Sequence, residues 1–90
     1  MNVQFDFGET RHIRVEVFSV YDDVFIIQNA RYELIRKSDG KIESSGRVDV
    51  IGHVLDVTVT PKFIGHYDLK ILYRISDETL IDTVELMVKG

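Results

Sequence analysis

From Tyr67 to Ile75, apolar residues recur at every second position: Tyr67, Leu69, Ile71, Tyr73 and Ile75 alternate with Asp68, Lys70, Leu72 and Arg74. A period of two places one set on the core face of a β-strand and the other mostly toward water. Pro61 lacks the backbone donor that a strand ladder needs, and Gly65 is a turn residue, so the two mark the turn that feeds this strand. The residue to watch is Leu72, which is apolar in the row that the alternation assigns to solvent.

The rest of the chain repeats the pattern. Val3, Phe5 and Phe7 alternate with polar residues, as do Ile13, Val15 and Val17, then Leu55, Val57 and Val59, and finally Val84, Leu86 and Val88. Val24 to Ile27 is a short apolar run of β-branched and aromatic type, which suits a strand covered on both faces. The alternation through Ala30, Tyr32 and Leu34 is out of phase with that run, which predicts a bulge or a change of sheet at Asn29. Asp39-Gly40 is the strongest hairpin signal, because tight hairpin turns require positive φ. Gly52-His53 reads as a second two-residue turn, Gly46 as the end of a short return strand, and Ser76 to Thr79 as the last turn. Asp82 falls on the inward phase, which predicts an edge or a bulge there. No segment shows a sustained helical period. Turns spaced roughly eight to twelve residues apart are what an all-β sandwich produces. The predicted core is Phe5, Val15, Val17, Phe25, Ile27, Tyr32, Leu34, Val57, Val59, Tyr67, Leu69, Ile71, Tyr73, Val84 and Leu86.

Composition bounds the function. Ninety residues make one domain, residues 1–90, with room for one core. The net charge is −4 and the basic residues are interspersed with acids, so neither nucleic acid nor an anionic membrane is an expected partner. With no cysteine there are no disulfides, zinc-thiolate sites or cysteine nucleophiles. Met1-Asn2-Val3-Gln4-Phe5-Asp6 lacks a charged start followed by an apolar run, and no run is long enough to span a bilayer. The expectation is a chain made in the cytoplasm without a signal peptide, kept there or carried out in a larger assembly such as a virion.

Chemistry finds few candidates. His12, His53 and His66 stand at no recognised ligand spacing, so no metal site is expected. Asp22-Asp23 and Asp77-Glu78 are acidic turn pairs that would converge on calcium only from one end of the sandwich, and there is no D-x-D-x-D-G loop. The serine-hydrolase elbow, the phosphate-binding loop and the zinc-protease helix motif are all absent. The glycines stand alone, so none forms a phosphate cradle. The expectation is a protein with no catalytic residues and no cofactor.

Gly65-x-Tyr67-x-Leu69 resembles the tyrosine corner of immunoglobulin-like domains, with Leu69 where many of them carry a cysteine. Phe25-x-Ile27, Ala30-x-Tyr32-x-Leu34, Asp39-Gly40, Gly46 and Tyr73-x-Ile75-x-Asp77-Glu78 extend the likeness across about two-thirds of the chain. The pattern is similar to immunoglobulin-like modules of phage tail or baseplate proteins and bacterial surface proteins. It lacks the cysteine pair and core Trp of antibody-type domains. The resemblance implies a Tyr67 hydroxyl bonded to nearby backbone, in preference to a general acid or a sugar-stacking platform. It also implies a structural or adhesive part without catalysis.

The expected fold is therefore a single antiparallel, immunoglobulin-like β-sandwich of seven to nine strands, with Gly65, Tyr67 and Leu69 as its corner. The expected function is assembly with other protein chains, self-association included, in a phage or prophage particle or a similar bacterial interaction protein. Phe18, Val20, Leu72 and Met87 are the candidate interface, because each is apolar on a face given to water. The rival reading is an adhesion module binding carbohydrate or calcium through its end loops.

Overall fold

The computed structural model describes residues 1–18 and 24–90. These form eight strands: β1 (Asn2–Asp6), β2 (Arg11–Glu16), β3 (Ile27–Arg36), β4 (Ile42–Arg47), β5 (Asp49–Ile51), β6 (Val54–Val59), β7 (Gly65–Ile75) and β8 (Glu78–Lys89). One sheet has the order β1-β8-β7-β3-β4 and the other β2-β6-β5. The two pack as an all-β sandwich. The chain crosses between sheets at β1–β2, β2–β3, β4–β5 and β6–β7, which is the immunoglobulin-like arrangement of strands. Pairing is antiparallel except at one margin, where β1 runs parallel to β8. Among the described residues no helix is long and apolar enough to cross a membrane.

The alternation in β7 has the expected phase. Tyr67, Leu69, Ile71 and Tyr73 are buried, while the side chains between them point outward. The other predicted core residues are buried too, or, for Val15, Phe25 and Tyr32, half-buried against the core. Ile13, Ala30, Val48, Leu55 and Val88 complete it. Val48 sits in the crossing between β4 and β5, where its N–H donates to Ala30 O at 3.1 Å.

Local irregularities fall at residues that tolerate them. Asn29 has φ 55°, and the β3–β7 register shifts between Gln28 and Arg31, so the phase change is a bulge within one sheet. Asn accepts left-handed backbone more readily than most residues. Gly52, at φ 61°, opens a two-residue turn that leaves Ile51 paired with Val54. The Asp39-Gly40 turn does join β3 to β4, with Gly40 N–H donating to Arg36 O at 2.8 Å.

Two expectations are corrected, and a third is narrowed to one of its alternatives. Val24 and Ile26 are 83% and 73% exposed and precede β3, so the Val24–Ile27 run is not covered on both faces. Only Phe25 and Ile27 of that run turn inward. Gly46 does not end its strand: β4 continues to Arg47, and the Tyr32 ring lies across Gly46, where an added Cβ would stand 3.3 Å from Tyr32 Cε1. Asp82 is not in a bulge, because β7 and β8 pair without interruption from Gly65–Val88 to Ile75–Glu78. It does lie at an edge: β1 pairs with β8 only from Glu85 to Lys89, so among the described residues the first part of β8 has no strand on its other side. The inward Asp82 carboxylate accepts the Tyr73 hydroxyl at 2.9 Å.

Leu69 has no exposed surface and lies mid-strand between β3 and β8. Leu69→Ala should lower the unfolding free energy by about 2–5 kcal/mol. Urea denaturation measures this, and an unchanged midpoint would contradict the central placement.

Candidate functional site

The corner forms as the motif implies and reaches further. Phe63 N–H donates to the Tyr67 hydroxyl oxygen at 3.1 Å, closing the β6–β7 connection onto its own strand. The Tyr67 hydroxyl donates to Glu43 Oε1 at 2.6 Å, and Lys62 N–H donates to Glu43 Oε2 at 3.1 Å. Glu43 thus ties β4 to the far connection. It reaches inward because the β3–β4 register shifts between Leu34 and Ile35. The sequence carries no local signal for this partner, which lies 24 residues before Tyr67. Arg36 stacks over the Phe63 ring at 4.9 Å and bonds Asp39 at 3.1 Å, closing the same end of the sandwich. Burial, with the Glu43 carboxylate beside it, pushes the Tyr67 phenol up to about 12. Burial and Asp82 do the same to Tyr73, also to about 12.

The densest set of ionisable groups lies on the outer face of the three-stranded sheet. His12 Nδ1 stands 2.9 Å from Asp56 Oδ1, Arg14 Nε donates to Asp56 Oδ2 at 3.2 Å, and Thr58 Oγ1 is 3.2 Å from His12 Nδ1. Strand pairing explains the set, since His12 faces Thr58 and Arg14 faces Asp56. The hydrogen bond with His12, aided by Arg14, holds the Asp56 carboxyl below its usual value against the opposing effect of burial. An Asp–His–hydroxyl relay bonds the carboxylate at one ring nitrogen and the nucleophile at the other. Here both meet Nδ1, so the imidazole cannot pass a proton from Thr58 toward Asp56. The cluster is a surface ion-pair network.

A second His is structural. His53 stacks on Phe25, with ring centroids 3.8 Å apart, and its Nε2 is 3.0 Å from Phe25 O. A carbonyl only accepts, so Nε2 carries the proton. With Val17 N–H donating to His53 O at 2.8 Å, the β5–β6 turn pins both ends of the β2–β3 connection. Among the described residues no three His, Asp or Glu side chains converge as a metal site. Asp22 and Asp23 lie outside the described residues.

Of the four candidate interface residues, the three that the structure describes do not meet in one patch. Val20 lies outside the described residues. Phe18 is 81% exposed, just beyond β2 in the smaller sheet, at the end that also exposes Val24 and Ile26. Leu72 and Met87 share the outer face of the larger sheet, but six residue pairs of the β7–β8 ladder separate their rows, roughly 20 Å. Leu72 is half-buried, and its neighbour across the ladder is Ile81, which is exposed. On its other side Leu72 faces Arg31, and Arg31 faces Arg47 on β4. A shallow groove of about 330 Å³ along β4 is lined by Arg31, Tyr32, Glu33, Ser45, Gly46 and Arg47. Among the described residues β4 has no neighbour on its other side.

No protein-family model and no curated protein sequence matches the chain.

Tyr67→Phe leaves Phe63 N–H and Glu43 without the hydroxyl, and should cost roughly 1–2 kcal/mol. In a double-mutant cycle with Glu43→Gln the two losses should be less than additive, because the residues share one bond. Both raised phenols favour the protonated form in the fold. Their contribution is complete below the ordinary value of 10.0 and declines as pH rises from there toward about 12. Two tyrosines should therefore ionise late when followed by phenolate absorbance, and Tyr67→Phe should remove one of them. Asp56 has the opposite sign: its contribution is present above the ordinary value of 3.8 and is lost as pH falls through its lower folded value. Asp56→Asn should flatten the acid limb of the stability profile.

Proposed function

We propose that the domain is a non-enzymatic protein-interaction module that serves assembly, of the kind its sequence resembles in phage or prophage particles and bacterial surface proteins. The supporting observation is the Leu72–Ile81 pair, apolar on the outer face of the larger sheet and framed by Arg31, Arg74 and Lys70. Apolar surface ringed by charge is the usual anatomy of a contact site. The clustered ionisable groups His12, Arg14 and Asp56, and the buried Tyr67 with Glu43, are taken up in ion pairs and structural hydrogen bonds, which suits a scaffold role. On this reading the chain is synthesised in the cytoplasm and leaves it as part of the particle, and its gene lies among genes for virion components.

Leu72→Glu tests the reading. The domain should keep its stability and lose association, with itself or with a protein that the wild type retains from its source cell. If Leu72→Glu unfolds the chain, Ile81→Glu repeats the test at a more exposed neighbour. Stable variants whose association equals that of the wild type would remove the reading.

A further inference from the structure

The two outer faces of the sandwich carry the same apolar motif inside opposite charge. On the larger sheet, Leu72 and Ile81 stand opposite each other. Arg31 and Arg47 continue that row, Arg74 lies two residues along β7, and Lys70 lies two residues the other way. The one carboxylate among them is Glu33, opposite Lys70. Arg31, Arg47, Arg74 and Lys70 make no ion pair among the described residues, and Arg31 and Arg47 are like charges placed directly across a ladder. Such a pair is unfavourable unless an anion lies over it.

On the smaller sheet, Val54 and Ile51 stand opposite each other, and Ile51 is exposed. Glu16 faces Val54, and Asp49 faces Asp56 two residue pairs along the ladder. Glu16 and Asp49 make no ion pair among the described residues, while Asp56 holds His12 and Arg14. Both apolar pairs lie toward the same end of the sandwich, because β2 and β7 end there and β6 and β8 begin there.

The geometry points to a second copy of this chain as the occupant of the basic face: the Leu72–Ile81 pair docks on the Ile51–Val54 pair of the next molecule, and Arg31, Arg47 and Arg74 face its Glu16 and Asp49. The inference rests on the interaction reading and names its partner. The two surfaces differ, so the contact is heterologous and grows into a row of molecules instead of stopping at a two-fold dimer. The smaller sheet limits the patch to three strands by about five residues, well under the roughly 800 Å² per partner of a stable complex. The association is therefore weak and salt-sensitive.

Sedimentation of the wild type at about 0.1–1 mM tests it, in the range where small transient contacts are seen. The average mass should rise beyond that of a dimer at low salt and return to monomer at about 0.5 M salt. Arg31→Gln with Arg74→Gln, and separately Glu16→Gln with Asp49→Asn, should each weaken association roughly tenfold. An equimolar mixture of the two variants should recover 1:1 dimers, because each retains the face that the other lacks, and should grow no further. Folding of each variant is checked by circular dichroism, and the salt series on the wild type carries the test if either variant unfolds. A wild type that stays monomeric across the range overturns the inference, as does a mixture that remains monomeric while both variants are folded. A monomeric wild type that still loses a partner protein on Leu72→Glu overturns only the second copy as occupant. A monomeric wild type that binds duplex DNA through Arg31 and Arg74 gives the face to a polyanion and overturns both.

Discussion

β7 is paired along both of its edges, to β3 on one side and to β8 on the other, and its ladder with β8 is unbroken over all eleven residues. That double pairing is what the fold depends on. The inward row of β7 supplies the centre of the core, and slippage by one residue would exchange it for the charged outer row. β1 and β4 reach the same sheet only through β8 and β3.

Pairing alone leaves the connections between sheets unanchored, and two contacts fasten them at opposite ends. At one end Tyr67 and Glu43 tie the β6–β7 connection to β4. At the other, His53 holds Phe25 by ring stacking and a backbone carbonyl, and Val17 through its own carbonyl. Both use polar groups that are half-buried or better, where a hydrogen bond is stronger than at the open surface and its loss is felt more. The bulges at Asn29 and beside Leu34 aim side chains that a regular ladder would send elsewhere, Glu43 above all.

The interior is occupied by packing, and the charged groups lie on the faces and margins. The outer face of the smaller sheet gathers His12, Arg14, Asp56 and Thr58, yet the shared Nδ1 makes this a network of paired charges with no free relay. The outer face of the larger sheet carries Arg31, Arg47, Arg74 and Lys70, which make no ion pair among the described residues, beside the apolar Leu72 and Ile81.

Period-two alternation determined, from the sequence by itself, that the chain is all-β, which residues of β7 and β8 turn inward, and where the Asp39-Gly40 and Gly52-His53 turns fall. These are local properties, set by side chains two positions apart and by the backbone freedom of glycine. The corner at Tyr67 was legible as a motif, although its partner was not, because Glu43 is distant in sequence and reaches Tyr67 through a bulge. For the same reason Phe18, Leu72 and Met87 look alike in the sequence but lie apart in the fold, while Ile81, which no alternation marks as special, stands against Leu72. Which strands lie side by side, that β1 runs parallel to β8, and which charges share a face were decided only by the tertiary structure. Strand order depends on long-range pairing, and one sequence of alternating residues is compatible with many such orders.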